Sequence, residues 1–200
     1  MLKNNDENQT NKSVSKEVYV RESKYLALLL RHQPEKADIN MGSDGWVEVS
    51  ELISNVNNIR GANYFTEDKL KTITQTDNKG RYSFSEDGSF IRANQGHSIN
   101  VDVGLVPTAP PEVLYHGTST RYAALIDEGG LKKKNRLYIH LSSDPVTAKS
   151  VGSRHCSHGE KVVIYSILAE RMAGDGYEFL LSANGVWLTD SVAPKYLQKN

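Results

Sequence analysis

The segment 101–111 carries Pro107, Pro110 and Pro111. Proline fixes φ, removes a backbone donor and drives the residue before it to extended backbone, so neither a helix nor a central strand runs through such a stretch. The segment reads as an extended connector that divides the chain into an N-terminal lobe, 18–100, and a C-terminal lobe, 112–200. With 200 residues in all, each half is long enough for a small domain. Residues 1–17 are rich in Asn, Lys, Glu and Ser with almost no apolar side chains, and are expected to be a disordered tail.

In the N-terminal lobe, Tyr25, Leu26, Leu28, Leu29 and Leu30 give a helix with a wide apolar face. Pro34 limits it and leaves Arg31 and His32 near its C-terminal end, where cations complement the helix dipole. Asp44-Gly45-Trp46 predicts a turn into a short strand. Ser50 is expected to cap a short helix through Val56, and Thr66 another that buries Leu70 and Ile73. Alternation over 81–85, the turn Glu86-Asp87-Gly88-Ser89 and the return over 90–93 predict a hairpin. Three helices and a two-stranded wing describe a winged-helix-like lobe, a shape that does not by itself give a function.

In the C-terminal lobe, Leu114 to Ser119 predicts a strand, Arg121 to Glu128 a helix ended by Gly129-Gly130, and Ser143 or Asp144 with Pro145 the start of another helix that stops at Gly152. Strands are expected over Val162–Leu168, Tyr177–Ser182 and Val186–Leu188. The whole is read as α+β, with the second lobe on a curved, mainly antiparallel sheet. The densest cationic cluster, Lys132, Lys133, Lys134 and Arg136, is consistent with a solvated loop or a local polyanion site.

Charge excludes a global attraction to nucleic acid, because 24 Lys and Arg balance 24 Asp and Glu. No apolar run has the length of a membrane span, and the N-terminus lacks the apolar core of a signal peptide. The single cysteine, Cys156, allows no internal disulfide and fits a reducing compartment. A cytoplasmic protein is expected. The chain has no G-x-G-x-x-G after a strand, no P-loop and no G-x-S-x-G elbow. His155-Cys156-Ser157-His158 matches no standard zinc spacing, so no metal is expected.

What remains is a set of histidines and arginines in loop-like settings: His32, His97, His116, His140, His155 and His158, with Arg31, Arg81, Arg92, Arg136 and Arg154. Taken singly, each is accounted for as structural or solvated. As a set, the planar guanidinium forks suit a phosphate group. The stretches Leu-Leu-Leu-Arg31-His32-Gln-Pro34, Asp44-Gly45-Trp46-Val47, Ile91 to Ser98, Tyr115-His116-Gly117-Thr118, Ile139-His140-Leu141-Ser142 and Asn184 to Thr189 occur in this order. From about Ser23 to Leu197 the chain resembles the KptA family of NAD-dependent RNA 2′-phosphotransferases.

That resemblance implies an N-terminal winged-helix-like RNA-binding lobe and a C-terminal lobe like ADP-ribosyltransferases. It implies removal of an internal 2′-phosphate from RNA, typically at a tRNA splice junction, with NAD+ as co-substrate and no metal. The phosphate attacks the anomeric carbon of the nicotinamide ribose and nicotinamide leaves, giving an ADP-ribosylated RNA 2′-phosphate. The ribose 2″-hydroxyl then takes the phosphorus, releasing ADP-ribose 1″,2″-cyclic phosphate. The family's essential Arg-His-Arg-Arg set falls on Arg31, His32, Arg81 and Arg136, with Arg81 chosen over Arg92 and Arg136 over Arg154 by motif position. Its His-His-Val signature falls on His116, His140 and Val186. Gly117, Thr118, Ser142 and Arg154 join these as NAD-binding residues. A carboxylate is not needed at Val186, because a phosphate nucleophile is already anionic. Arg154-His155-Cys156 departs from the family's usual Arg-His-Gly, which leaves the path of that loop open. A monomer is expected. Two other functions also fit the motifs: an ADP-ribosyltransferase acting on other phosphorylated ends or small molecules, and a winged-helix regulator that senses NAD+.

Overall fold

The computed structural model describes residues 19–200. The tail expected over 1–17 lies outside the described residues. The chain divides into two compact units, one ending at Val103 and one running from Gly104 to Asn200.

The first unit starts with α1 (Val20–Arg31), whose leucines at Leu26, Leu29 and Leu30 are fully buried. Their three- and four-residue spacing puts them on one face of the helix. After a 3₁₀ turn at Pro34–Ala37 come β1 (Val47–Glu48), α2 (Val49–Arg60) and α3 (Glu67–Thr76). Thr66 caps α3 as its sequence predicts, its hydroxyl accepting the Lys69 N–H at 3.2 Å. Ser50 does not cap α2. The cap position is Glu48, and Ser50 sits inside the first turn with its hydroxyl donating to the Glu48 carboxylate at 2.5 Å. Val49, buried against the core, draws the helix start two residues earlier than the capping preference alone suggests.

β2 (Tyr82–Phe84) and β3 (Phe90–Ala93) form the expected hairpin, and β1 adds a third antiparallel strand in the order β1-β3-β2. Asp87 closes the turn by accepting from the hydroxyls of Ser85 and Ser89, and Gly88 takes the left-handed conformation the turn requires, φ +76. One core, including Leu26, Leu52, Leu70, Tyr82 and Ile91, holds helices and sheet together.

The second unit holds three small antiparallel sheets, none closed. β4 (Val113–Ser119), β7 (Val162–Leu168) and β11 (Leu197–Lys199) pair in the order β11-β7-β4. β6 (Ile139–Leu141), β8 (Leu180–Leu181) and β9 (Trp187–Thr189) pair as β6-β9-β8, and β5 (Leu131–Lys132) pairs with β10 (Ser191–Val192). Tyr115 of β4 exchanges two backbone bonds of 2.8 Å with Ser142, just after β6, so the two three-stranded sheets meet edge to edge. Residues 104–111 run with this unit: Pro107 bridges Leu180, and the Thr108 N–H donates to the Phe179 carbonyl.

The helices are α4 (Ala123–Gly129), α5 (Pro145–Ser153) and α6 (Ala169–Gly174). Asp144, rather than Ser143, caps α5, accepting the Thr147 N–H at 2.7 Å. α5 lies on β4 with backbone almost touching backbone. A Cβ on Gly117 would fall 1.8 Å from the Ala148 carbonyl oxygen, and one on Gly152 would fall 2.7 Å from the Gly117 carbonyl carbon. The strand expected over 177–182 shrinks to Leu180–Leu181. Tyr177 instead donates its N–H to the Met172 carbonyl at the end of α6 and sets its ring edge-on to Tyr196, which takes it out of any ladder.

Candidate functional site

In the first unit the stretch after β3 wraps the C-terminal end of α1. The Ser98 N–H donates to the Arg31 carbonyl at 2.9 Å, and the Ser98 hydroxyl lies 2.9 Å from His32 Nδ1. Gly96, at φ +91, brings its backbone flat against the Arg31 guanidinium: a Cβ there would meet Cζ and Nη1 at 3.4 Å. A Cβ would just touch the guanidinium, and an L-residue would be strained at that φ. His97 is 3% exposed, and burial first, then Arg31, His32 and Arg92, push its pKa down to about 4. It is a neutral wedge under a cationic cluster.

Arg81 leaves the turn after α3 and is held by Asp77. Arg81 Nε lies 3.1 Å from both Asp77 oxygens and Nη2 lies 2.9 Å from Oδ1, while the Arg81 backbone N–H donates to Oδ2 at 2.6 Å. Asn94 braces the same turn, its amide donating to the Gly80 carbonyl at 2.7 Å and its backbone N–H to the Arg81 carbonyl at 2.9 Å. Both Arg81 and Arg31 act electrostatically on the Tyr82 hydroxyl. Arg92, the alternative to Arg81, is spent differently: its guanidinium stacks 4.5 Å from the Trp46 ring centre.

In the second unit a cavity of about 610 Å³ opens between β4, α4 and the stretch 130–140. His116, Gly117, Thr118, Arg136, His140 and His155 line it. His116 shares a 3.1 Å hydrogen bond through Nδ1 with the His140 carbonyl, and burial lowers its pKa, so it is neutral at pH 7. Its β4 position follows from the pairing with β7, where His116 stands opposite Tyr165. The lining holds the cations Lys132, Lys133, Lys134 and Arg136 and no carboxylate. Arg136 is exposed at its outer side, yet the protein around its head group lowers its pKa through desolvation. It remains cationic at any physiological pH.

The lysines are not a plain solvated loop. Lys132 belongs to β5, Lys133 reaches Asp190 at 2.5 Å, and Lys134 sits 4.3 Å over the Tyr122 ring. Arg121 also stacks on Tyr122, at 4.6 Å. The loop bearing Arg154 and His155 is stapled to the end of β4 through Glu160. The Glu160 carboxylate accepts from the Ser119 hydroxyl at 2.5 Å and the Ser157 N–H at 2.9 Å, and Arg121 donates to the His155 carbonyl at 3.2 Å. Cys156, just past the end of α5, points its thiol back to the Gly152 carbonyl, 3.6 Å away. Desolvation, then Arg136, Arg154, Arg121 and Lys134, lower the pKa of His155.

Of the residues expected to bind NAD+, His116, Gly117, Thr118 and His140 line this cavity, whereas Ser142, Arg154 and Val186 do not. Ser142 is engaged in the bridge between sheets. Val186 precedes β9, its N–H donating to the Ser182 hydroxyl at 3.0 Å. The sequence reading missed Asp77, Tyr122 and Glu160. Asp77 was detectable, since Asp77-Asn78-Lys79-Gly80 is a turn signature whose Asp bonds backbone two residues on.

Chemically, the cavity suits a polyanion: its lining carries four cations, of which Lys133 is paired with Asp190 behind it, with a neutral imidazole and a buried hydroxyl within. No described helix is long and apolar enough to cross a membrane. Residues 17–191 match the family described as RNA 2′-phosphotransferase, Tpt1/KptA family. The chain is 44% identical to a protein of Acaryochloris marina over 174 residues, 87% of this chain and 93% of that one. It is 45% identical to one of Nostoc punctiforme over 182 residues, 90% and 96% of the two chains, and 40% identical to one of Flavobacterium johnsoniae over 188 residues, 94% and 98%. All three carry the name "Probable RNA 2′-phosphotransferase". The match runs through both units, and the chain therefore belongs to the Tpt1/KptA family of RNA 2′-phosphotransferases.

Proposed function

We propose that this enzyme removes an internal 2′-phosphate from RNA by transferring it to NAD+, with release of nicotinamide and ADP-ribose 1″,2″-cyclic phosphate. The observation that carries the NAD+ assignment is the cavity of the second unit, where Lys132, Lys133, Lys134 and Arg136 stand with no carboxylate among the lining residues. A dinucleotide pyrophosphate is a polyanion that such a rim attracts. NAD+ supplies an electrophilic ribose carbon with a good leaving group and a neighbouring hydroxyl.

The remaining work falls to the chain's own groups. Neutral His116, oriented by the His140 carbonyl, and the Thr118 hydroxyl offer hydrogen bonds to ribose or amide groups. Tyr122 lines the cavity wall and holds Lys134 over its ring. Arg31, Arg81 and Arg136 are assigned to the phosphate, whose oxygens gain charge as phosphorus changes partner. His32, fixed by Ser98 at Nδ1, is assigned to proton transfer or hydrogen bonding in that second step. The cavity lining offers no carboxylate to act as a general base, as an anionic nucleophile allows. We read the first unit, three helices and a hairpin, as a winged-helix-like RNA lobe, and the second, with its edge-joined antiparallel sheets, as an ADP-ribosyltransferase-like lobe. We read the protein as acting as a monomer, and a lone cysteine suits a reducing compartment such as the cytoplasm.

Nicotinamide release tests this. Incubated with NAD+, the protein is expected to release nicotinamide only when an oligoribonucleotide with an internal 2′-phosphate is also present. Equal release with the unphosphorylated oligonucleotide, or none with either, would overturn the assignment.

A further inference from the structure

Asp77 is a buried carboxylate of the first unit that accepts hydrogen bonds on both oxygens. Its side chain is only 2% exposed, against 29% for Arg81. Oδ1 accepts from Arg81 Nη2 at 2.9 Å, from Arg81 Nε at 3.1 Å and from the Lys79 N–H at 3.2 Å. Oδ2 accepts from the Arg81 N–H at 2.6 Å and from Nε at 3.1 Å. Burial alone would raise its pKa, but the Arg81 hydrogen bonds outweigh burial and lower it, so the group is a carboxylate at pH 7. The two backbone bonds fix the carboxylate to the turn, and the turn is fixed in turn by Asn94. The carboxylate therefore has a set direction before it meets the guanidinium. It engages Nε and Nη2, one edge of the fork, and Nη1 makes none of these bonds.

We infer that Asp77 is a positioning residue: it holds one edge of the Arg81 guanidinium so that the Nη1 side is presented, in one orientation, to the substrate's 2′-phosphate. The inference rests on the assignment of Arg81 to that phosphate. The alternative is that Asp77 merely neutralises a surface cation and stabilises the turn. The two differ in sign. A neutralising acid weakens anion binding, so its removal strengthens the capture of phosphate. A positioning acid supplies an ordered fork, so its removal weakens capture although the net charge becomes more positive. Side-chain ordering is a cost the complex otherwise meets on binding.

The test uses Asp77→Asn in the full chain. The amide oxygen still accepts from backbone N–H groups of the turn, while the new NH₂ opposes the guanidinium. Binding is measured without NAD+, to one oligoribonucleotide with an internal 2′-phosphate and to the same oligonucleotide with a 2′-hydroxyl. The wild type is expected to prefer the phosphorylated form, and the variant to lose about tenfold of that preference with binding to the 2′-hydroxyl form unchanged. In turnover, kcat/KM for the RNA should fall about 10- to 100-fold while KM for NAD+ stays within twofold. Arg81→Ala should cost more, and Asp77→Asn combined with Arg81→Ala should be no slower than Arg81→Ala alone, because the acid acts only through the arginine. Should the Asn variant fold poorly by circular dichroism, Asp77→Ser, which keeps a turn-capping oxygen, takes its place in the same cycle. An unchanged or stronger phosphate preference, or additive losses in the double variant, would overturn the role of Asp77. A wild type that binds phosphorylated RNA preferentially but does not consume NAD+ would overturn the proposed reaction and leave the binding comparison to decide Asp77.

Discussion

Gly117→Ala perturbs the closest approach in the second unit. The new Cβ would stand 1.8 Å from the Ala148 carbonyl oxygen and 2.6 Å from its carbon. Real Cβ atoms essentially never come under 3.0 Å, so the α5 backbone has to retreat by roughly 1.2 Å, the difference between the two distances. The obstacle is helix backbone, which cannot rotate away as a side chain can. Gly152 on α5 faces the same strand, with its own would-be Cβ 2.8 Å from the Thr118 nitrogen, so the helix has no second track to slide onto. Overpacking of a close-packed core costs about 1–3 kcal/mol, and a backbone clash belongs at or beyond the top of that range. For a unit of this size about 1 kcal/mol moves Tm by 4–8 °C, so ~3 kcal/mol lowers the Tm of the second unit by roughly 12–24 °C. Calorimetry on the full chain reads it directly. Gly174→Ala is the control, since nothing lies within 4 Å of its would-be Cβ, and it is expected to leave Tm unchanged within about 2 °C. A Gly117→Ala protein melting within 2 °C of wild type would refute the close approach of α5 and β4.

His97 makes the first unit acid-sensitive. With its pKa near 4 in the folded state against about 6.5 in a free chain, the unfolded state binds the extra proton in that window, so stability is present above pH 6.5 and falls as pH drops toward 4. The loss is up to about 3 kcal/mol, and His97→Gln should flatten that part of a urea-stability profile. Ser98→Ala removes the hydroxyl beside His32 Nδ1, and kcat should fall about tenfold with little change in KM for NAD+, checked by steady-state kinetics. Lys134→Glu places an acid in a cavity lining that otherwise has none, and should weaken NAD+ binding about tenfold by calorimetric titration without altering RNA affinity.

Local chemistry was legible and close tertiary contact was not. The Thr66 and Asp144 caps and the hairpin around Asp87-Gly88 each follow from short-range bonding that a few residues encode. Ser50 misled because burial of Val49 decided where α2 begins. Tyr177 reads as strand by composition, yet its partners are Met172 and Tyr196, which lie at distances in the sequence that no period reveals. At the candidate site, the resemblance picked out His116, His140 and Arg136, and all three line one cavity. It did not explain why Gly117 must be glycine. The reason is α5 pressed on β4, a fact of two segments some thirty residues apart meeting in space. Nor did it show that Gln95-Gly96-His97-Ser98 forms the cradle of Arg31 and His32, because that stretch acts on a helix end far upstream.

NAD+-dependent removal of an RNA 2′-phosphate is decided by the mass of one oligoribonucleotide bearing a single internal 2′-phosphate, recorded after incubation with the protein, with and without NAD+. The RNA is expected to lose that one phosphate, with its chain intact, only when NAD+ is present. A phosphate retained at saturating NAD+, or lost equally without it, would refute the reaction.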